Sequence, residues 1–190
     1  MNKIIFSILS CIVTCGSVNA MGRLPLYEAV ADDKIETVRT LLDQGTDIDI
    51  LDSEYVTPLF LAVSNENLPI VQLLLERHAN VSQPNYYGFT PLHCAASRGN
   101  IDIVQLLLDY DADDTKKATN ALTSEDLAVI HHHDNIAQLL KEWPNIKKQR
   151  AIQEFCIFAR GSHERLGENS PVMMCDEEVL KTICAKLLAK

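Results

Sequence analysis

Much that would mark an enzyme or a nucleic-acid protein is missing from this 190-residue chain. It has no CxxC pair, no long basic run, and no apolar stretch of the roughly 20 residues that a membrane-spanning helix needs. Six cysteines are present, of which Cys11 and Cys15 fall in an N-terminal apolar segment. The four others, Cys94, Cys156, Cys175 and Cys184, are too few for a disulfide framework, and their spacing makes no zinc site. The formal charge of −9 and a pI near 5.1 repel phosphate backbones, which argues against a nucleic-acid partner. The segment TPLHCAASRGNIDIVQLLL, Thr90 to Leu108, carries no Gly-rich phosphate loop, no acid pair and no metal-ligand spacing.

What is present begins with 47% hydrophobic residues, enough to build a core. The first twenty residues place Lys3 before the apolar run Ile4 to Val13, and end on Val18-Asn19-Ala20. Charge, short apolar run and small-residue site in that order predict a secretory signal over residues 1–20, cleaved after Ala20. The mature chain is then expected in the periplasm or outside the cell, with no membrane association. The alternative is an anchor that stays attached. A lipoprotein site fits less well: Cys11 follows too short an apolar run, and Thr14 is a poor residue before Cys15.

The chain repeats itself at a spacing of 33 residues. Thr57-Pro58-Leu59 falls on Thr90-Pro91-Leu92, and Thr123 takes the same slot again. Ala29, Ala62, Ala95 and Ala128 coincide, as do Val38, Val71 and Val104; Ile70, Ile103 and Ile136; and Leu74, Leu107 and Leu140. One unit reads as a helix pair. Thr90 caps free amides and Pro91 suits a first turn. Leu92, Ala95 and Ala96 form a stripe of small and apolar residues. Gly99 in Arg98-Gly99-Asn100 accepts a left-handed turn. Ile103, Val104, Leu106, Leu107 and Leu108 then give a second helix a broad apolar face. A single pair cannot bury both faces, whereas stacked pairs can.

Segment Gly88–Asp113, GFTPLHCAASRGNIDIVQLLLDYDAD, closely resembles the ankyrin repeat, and YVTPLFLAVSNENLPIVQLLLERHANV is a second match. The flanking GRLPLYEAVADDKIETVRTLLDQGTDI and ALTSEDLAVIHHHDNIAQLLKEW are degenerate in the manner of terminal caps. The resemblance implies an all-α solenoid of about four repeats, near 21–51, 52–84, 85–117 and 118–143, joined by short β-hairpin loops. It implies a non-catalytic protein–protein interaction module that binds through hairpin tips and the outer ends of the inner helices, along the concave face. Those slots hold Tyr86, Tyr87, Phe89 and Arg98, with Glu54, Val56 and Asn65 one repeat earlier and His131 one repeat later. Aromatics in NYYGF suit a hot spot, and a chain this acidic favours a basic or apolar partner. The alternative is that Tyr86 or Phe89 folds back onto the neighbouring tip. His93 is expected to bond within and between repeats. Cys94, sharing a slot with Leu61 and Leu127, is expected to be a small core hydrophobe. His131-His132-His133 reads as a solvated turn, with His132 in the slot of Gly99. No cofactor or metal is expected, and no catalytic residue; the alternative is a metal- or thiol-dependent enzyme using Cys94, the histidine run or the tail cysteines.

Residues 144–190 read as a helical extension. Pro144 is expected to end the cap helix, NIKKQRAIQEFCIFARGSHERL to form another, and GSHERLGENSP to be a loop. CDEEVLKTICAKLLAK follows as an amphipathic helix. SPVMMCDEEVLKTICAKLL faintly resembles an F-box helix, which implies a host-directed effector docking a ubiquitin-ligase adaptor. The alternative is a helical pair that caps the last repeat. The tail cysteines pair or stay reduced.

Overall fold

The computed structural model describes residues 25–166, with side chains through Glu154. The expected signal segment and the tail with Cys175 and Cys184 lie outside the described residues, as does the Cys156 side chain. Among the described residues there are helices and turns and no strand. The helices are α1 (Pro25–Ala31), α2 (Ile35–Asp43), α3 (Pro58–Ser64), α4 (Leu68–Glu76), α5 (Pro91–Arg98), α6 (Ile101–Asp109), α7 (Ser124–Ile130) and α8 (Asp134–Leu166). Chain contacts divide them into two compact units between Gln138 and Leu139.

In the first unit the inner helices α1, α3, α5 and α7 stack in sequence, and the outer helices α2, α4 and α6 stack behind them. The coincident residues of the 33-residue register form the core. Ala62, Ala128, Val38, Val71, Val104, Ile70, Ile103, Ile136, Leu74 and Leu107 are each 0% exposed. Small alanines on the inner helices let neighbours approach, and the branched and leucine side chains of the outer helices fill the space between layers.

Side-chain caps set the starts of α3, α4, α6 and α7. The Thr57 hydroxyl accepts from the Phe60 amide at 3.1 Å, and Thr123 accepts from Asp126 at 3.2 Å. Asn67 and Asn100 cap the outer helices by accepting from Ile70 at 3.0 Å and Ile103 at 3.1 Å. Backbone torsions repeat with the sequence. Asp33, Glu66, Gly99 and His132 all have positive φ, as do Gly45, His78 and Asp111, and Tyr55, Gly88 and Ala121. Each set marks one obligatory left-handed turn, and only three of these ten positions hold glycine.

Two expectations are corrected. The hairpins before α3, α5 and α7 are reduced to turns, closed by two backbone bonds each rather than by paired strands. The second unit is described through α8, and Pro144 lies inside that helix rather than at its end. An interior proline forfeits one backbone donor and crowds the preceding turn, yet the turns on both sides carry the helix on. The residues from Gly161 to Leu166, which the expected helix and the expected loop shared, are helical. Within this unit the Arg150 guanidinium lies 5.1 Å from the centre of the Trp143 ring.

Candidate partner-binding face

The inner helices are short, so each has two solvent-facing ends: a turn before its first residue and a turn after its last. The tips before α3, α5 and α7 share one construction. Asp52, Asn85 and Ala118 donate their amides to the carbonyls of Val56, Phe89 and Leu122 at 3.2, 2.9 and 3.0 Å. Asp52 Oδ1 also accepts from the amides of Glu54 and Val56, and Asn85 Oδ1 from those of Tyr87 and Phe89. Adjacent tips are tied together. The Tyr86 amide donates to the Glu54 carbonyl at 3.0 Å, and the Thr119 amide to the Tyr87 carbonyl at 3.1 Å. A Cβ on Gly88 would meet the Thr119 nitrogen at 3.0 Å, so glycine permits the close approach of the fourth tip.

This scaffold holds three tyrosines in solvent. Tyr55, Tyr86 and Tyr87 are 54%, 67% and 55% exposed. The Tyr55 and Tyr86 rings lie 6.4 Å apart at 33°, and Tyr86 meets Tyr87 edge-on at 5.4 Å. Glu54 is exposed beside them. Phe89 differs: it is half-buried, with its ring edge-on to His93 at 5.8 Å. Val56, in the same slot one repeat earlier, is half-buried too.

The other end of the inner helices carries a polar row. The Arg98 guanidinium donates to the Ser64 hydroxyl at 3.1 Å and faces Glu66 at 3.8 Å. Asn67 donates to Asp33 at 2.8 Å. His133, in the Asn slot, pairs through Nε2 with the Ser97 carbonyl at 3.1 Å, and its ring occupies the space over Gly99. It is therefore half-buried between repeats rather than solvated as expected. His131 is exposed and its ring stacks at 6.4 Å on that of His133, while Asn65 is exposed and Val129 and Ile130 are both more than half exposed. The candidate residues thus fall into two groups. Tyr86, Tyr87 and Glu54 sit at the tips; Arg98, Asn65 and His131 sit at the far helix ends. The eight residues of α5 separate the groups by about 12 Å along the helix axis.

A family model described as ankyrin repeats (3 copies) matches residues 26–118 and, one repeat further on, 59–152. The chain belongs to the ankyrin-repeat family. No curated protein matches it at a significant level. Ankyrin repeats make the chain a protein–protein interaction module, and proteins of this kind are generally non-catalytic.

The ankyrin register also explains His93 and Cys94. His93 is 0% exposed. Its Nδ1 accepts from the Thr90 amide at 3.2 Å, so the neutral ring carries its proton on Nε2 and donates to the Leu122 carbonyl at 3.2 Å. It thereby ties the third repeat to the fourth tip, and burial holds its pKa below the usual 6.5. In the same slot Tyr27 donates its hydroxyl to the Ile50 carbonyl at 3.4 Å, and Asp126 accepts from the Thr123 amide and hydroxyl at 2.9 and 2.7 Å. Phe60 has no polar group to contribute, and the third tip is held by Asn85 instead. Cys94 is half-buried near Arg98 and Ser64, and burial pushes its thiol up, so it is a poor nucleophile at neutral pH.

The residue that the sequence pattern conceals is Tyr55. It occupies the left-handed slot of Gly88, with φ of 59°. A slot that normally asks for glycine draws no attention as a recognition position. The aromatic side chain in so awkward a backbone was the available signal.

Proposed function

We propose that this ankyrin-repeat chain is an exported, non-catalytic binding protein that engages a partner protein through the tips of its second and third repeats. The observation that carries the reading is the row of Tyr55, Tyr86 and Tyr87, each more than half exposed on a hydrogen-bonded, pre-organised backbone. Large amphipathic rings held rigid lose little entropy on binding, and tyrosine is enriched in interface hot spots. Nothing in the fold asks for aromatic residues at these slots, because the equivalent residues of the fourth tip are Thr119 and Asn120. Export rests on the Lys3, Ile4–Val13 and Ala20 pattern.

Two experiments test this reading. Replacing Tyr86 with a photoreactive amino acid should capture a discrete partner on illumination in cells, whereas the same replacement at the exposed Gln72 on α4 should not. Equal capture at both positions, or none at position 86, contradicts the tip assignment. N-terminal sequencing of exported protein should begin at Met21, and an intact Met1 in that fraction contradicts the signal.

A further inference from the structure

The tyrosine row is not a flat patch. Two ring faces that sandwich a planar group stand about 7 Å apart, twice the usual carbon–carbon contact distance. The Tyr55 and Tyr86 ring centroids lie 6.4 Å apart with their planes inclined at 33°, a spacing close to that width which we read as a shallow wedge. Tyr87, at 90° to Tyr86, stands edge-on beside it. The walls are fixed from below, since the Tyr86 amide is bonded to the Glu54 carbonyl and the Tyr55 turn is closed by its amide donating to the Asp52 carbonyl at 3.2 Å. Tyr55 holds this position in a left-handed conformation that costs a non-glycine residue energy.

Charge says what the wedge accepts. Residues 25–138 carry nineteen Asp and Glu against six Lys and Arg. Glu54 is exposed next to Tyr55, whereas Lys117 flanks the fourth tip, so the negative end of the row is the Tyr55 end. A ring face attracts a cation, and a planar guanidinium also stacks on it where an ammonium does not.

Resting on the reading that these tips bind a partner, we propose that Tyr55, Tyr86 and Tyr87 form a cleft for an arginine side chain on a basic segment of that partner, with Glu54 as its counter-charge. Electrostatic attraction then steers the encounter and the rings supply selectivity for the guanidinium.

The full chain is titrated by calorimetry with three peptides of equal length: an arginine–glycine repeat, a lysine–glycine repeat and a serine–glycine repeat. The arginine peptide should bind most tightly and the serine peptide not at all. Tyr86→Phe should bind like the parent. Tyr86→Leu, which keeps an apolar side chain but removes the ring face, should weaken the arginine peptide about threefold to tenfold. Glu54→Gln should weaken it less and flatten its salt dependence. Thermal melts of each variant verify folding. Equal affinity for the arginine and lysine peptides, or a Tyr86→Leu variant that binds like the parent, overturns the cleft. Capture of a partner from position 86 through a segment without arginine overturns the cleft and leaves the tip reading intact. Absence of any capture alongside the full peptide response does the reverse.

Discussion

Repeats three and four are built on one register and solve its demands differently. Repeat three places Gly88 and Gly99 at two of its three left-handed turns, Pro91 at the first position of its inner helix and His93 in the buried bonding slot. Repeat four has Ala121 and His132 at those turns, Ser124 for the proline and Asp126 for the histidine. Its outward slots differ as well, with Thr119 and Asn120 where repeat three exposes Tyr86 and Tyr87. The comparison teaches that fold and recognition draw on separate slots. Repeat three combines the residues best suited to the turns with aromatic rings that the turns do not need. Repeat four tolerates strain, keeps the stack continuous and offers a polar tip.

Core truncation should break the comparison most strongly. Leu107→Ala, at a side chain 0% exposed in repeat three, should cost about 2–5 kcal/mol and can unfold so short a stack. Leu127→Ala in repeat four, at a side chain 7% exposed, should fall at the lower end of that range. Chemical denaturation of both variants measures the difference, and equal losses would mean that the two repeats are packed alike.

Exchanging turn residues should act next. Gly99→Ala forces a side chain into the left-handed region and against the His133 ring, at a cost of about 1–2 kcal/mol. Ala121→Gly relieves the same conformation and should stabilise by up to about 1 kcal/mol, the strain relief being partly offset by the entropy of a freer unfolded chain. Opposite shifts in melting temperature are expected; a stabilising Gly99→Ala would contradict the account.

Ser124 offers a smaller gain. It is fully buried, and its hydroxyl is the buried side-chain atom that lacks a hydrogen-bond partner among the described residues. Pro58 and Pro91 fill the same slot in repeats two and three. Ser124→Pro removes the orphaned hydroxyl and stiffens the unfolded chain, so a stabilisation of about 0.5–1 kcal/mol is expected. A lower melting temperature would show that the backbone at this position does not suit proline.

Acid should separate the bonding slots. His93 is held neutral by burial, so its folded pKa lies below the ordinary 6.5. The unfolded chain therefore binds a proton first as pH falls, and the contribution of this residue is complete above 6.5 and declines below it. Asp126 is held ionised by the Thr123 amide and hydroxyl, so its contribution is present above 3.8 and is lost only at lower pH. Melts between about pH 7.5 and 5 should show a decline that His93→Gln reduces and Asp126→Asn leaves unchanged. A decline that persists in full in His93→Gln would assign it to another group.

The repeat is legible in the sequence because stacking forces the same apolar slots every 33 residues, so periodicity alone assigns Ala95, Ile103 and Leu107 to the core. The tip tyrosines are legible as departures from polar turn chemistry. Tyr55 and His133 are not. Both sit in slots whose usual occupants are chosen for backbone reasons, and only the folded stack shows where a larger side chain goes. The course of α8 is hidden for the opposite reason: Pro144 is a strong local stop signal that the surrounding helical residues overrule.

The separation of fold from recognition is tested most directly by one paired measurement on the double variant Tyr86→Ala/Tyr87→Ala, with binding titrated against the partner captured from position 86 and stability followed by thermal melting. The account predicts that binding weakens by about 2 kcal/mol or more, the usual hot-spot scale, while the melting temperature barely moves. Binding equal to the parent, or a stack that unfolds, would contradict it.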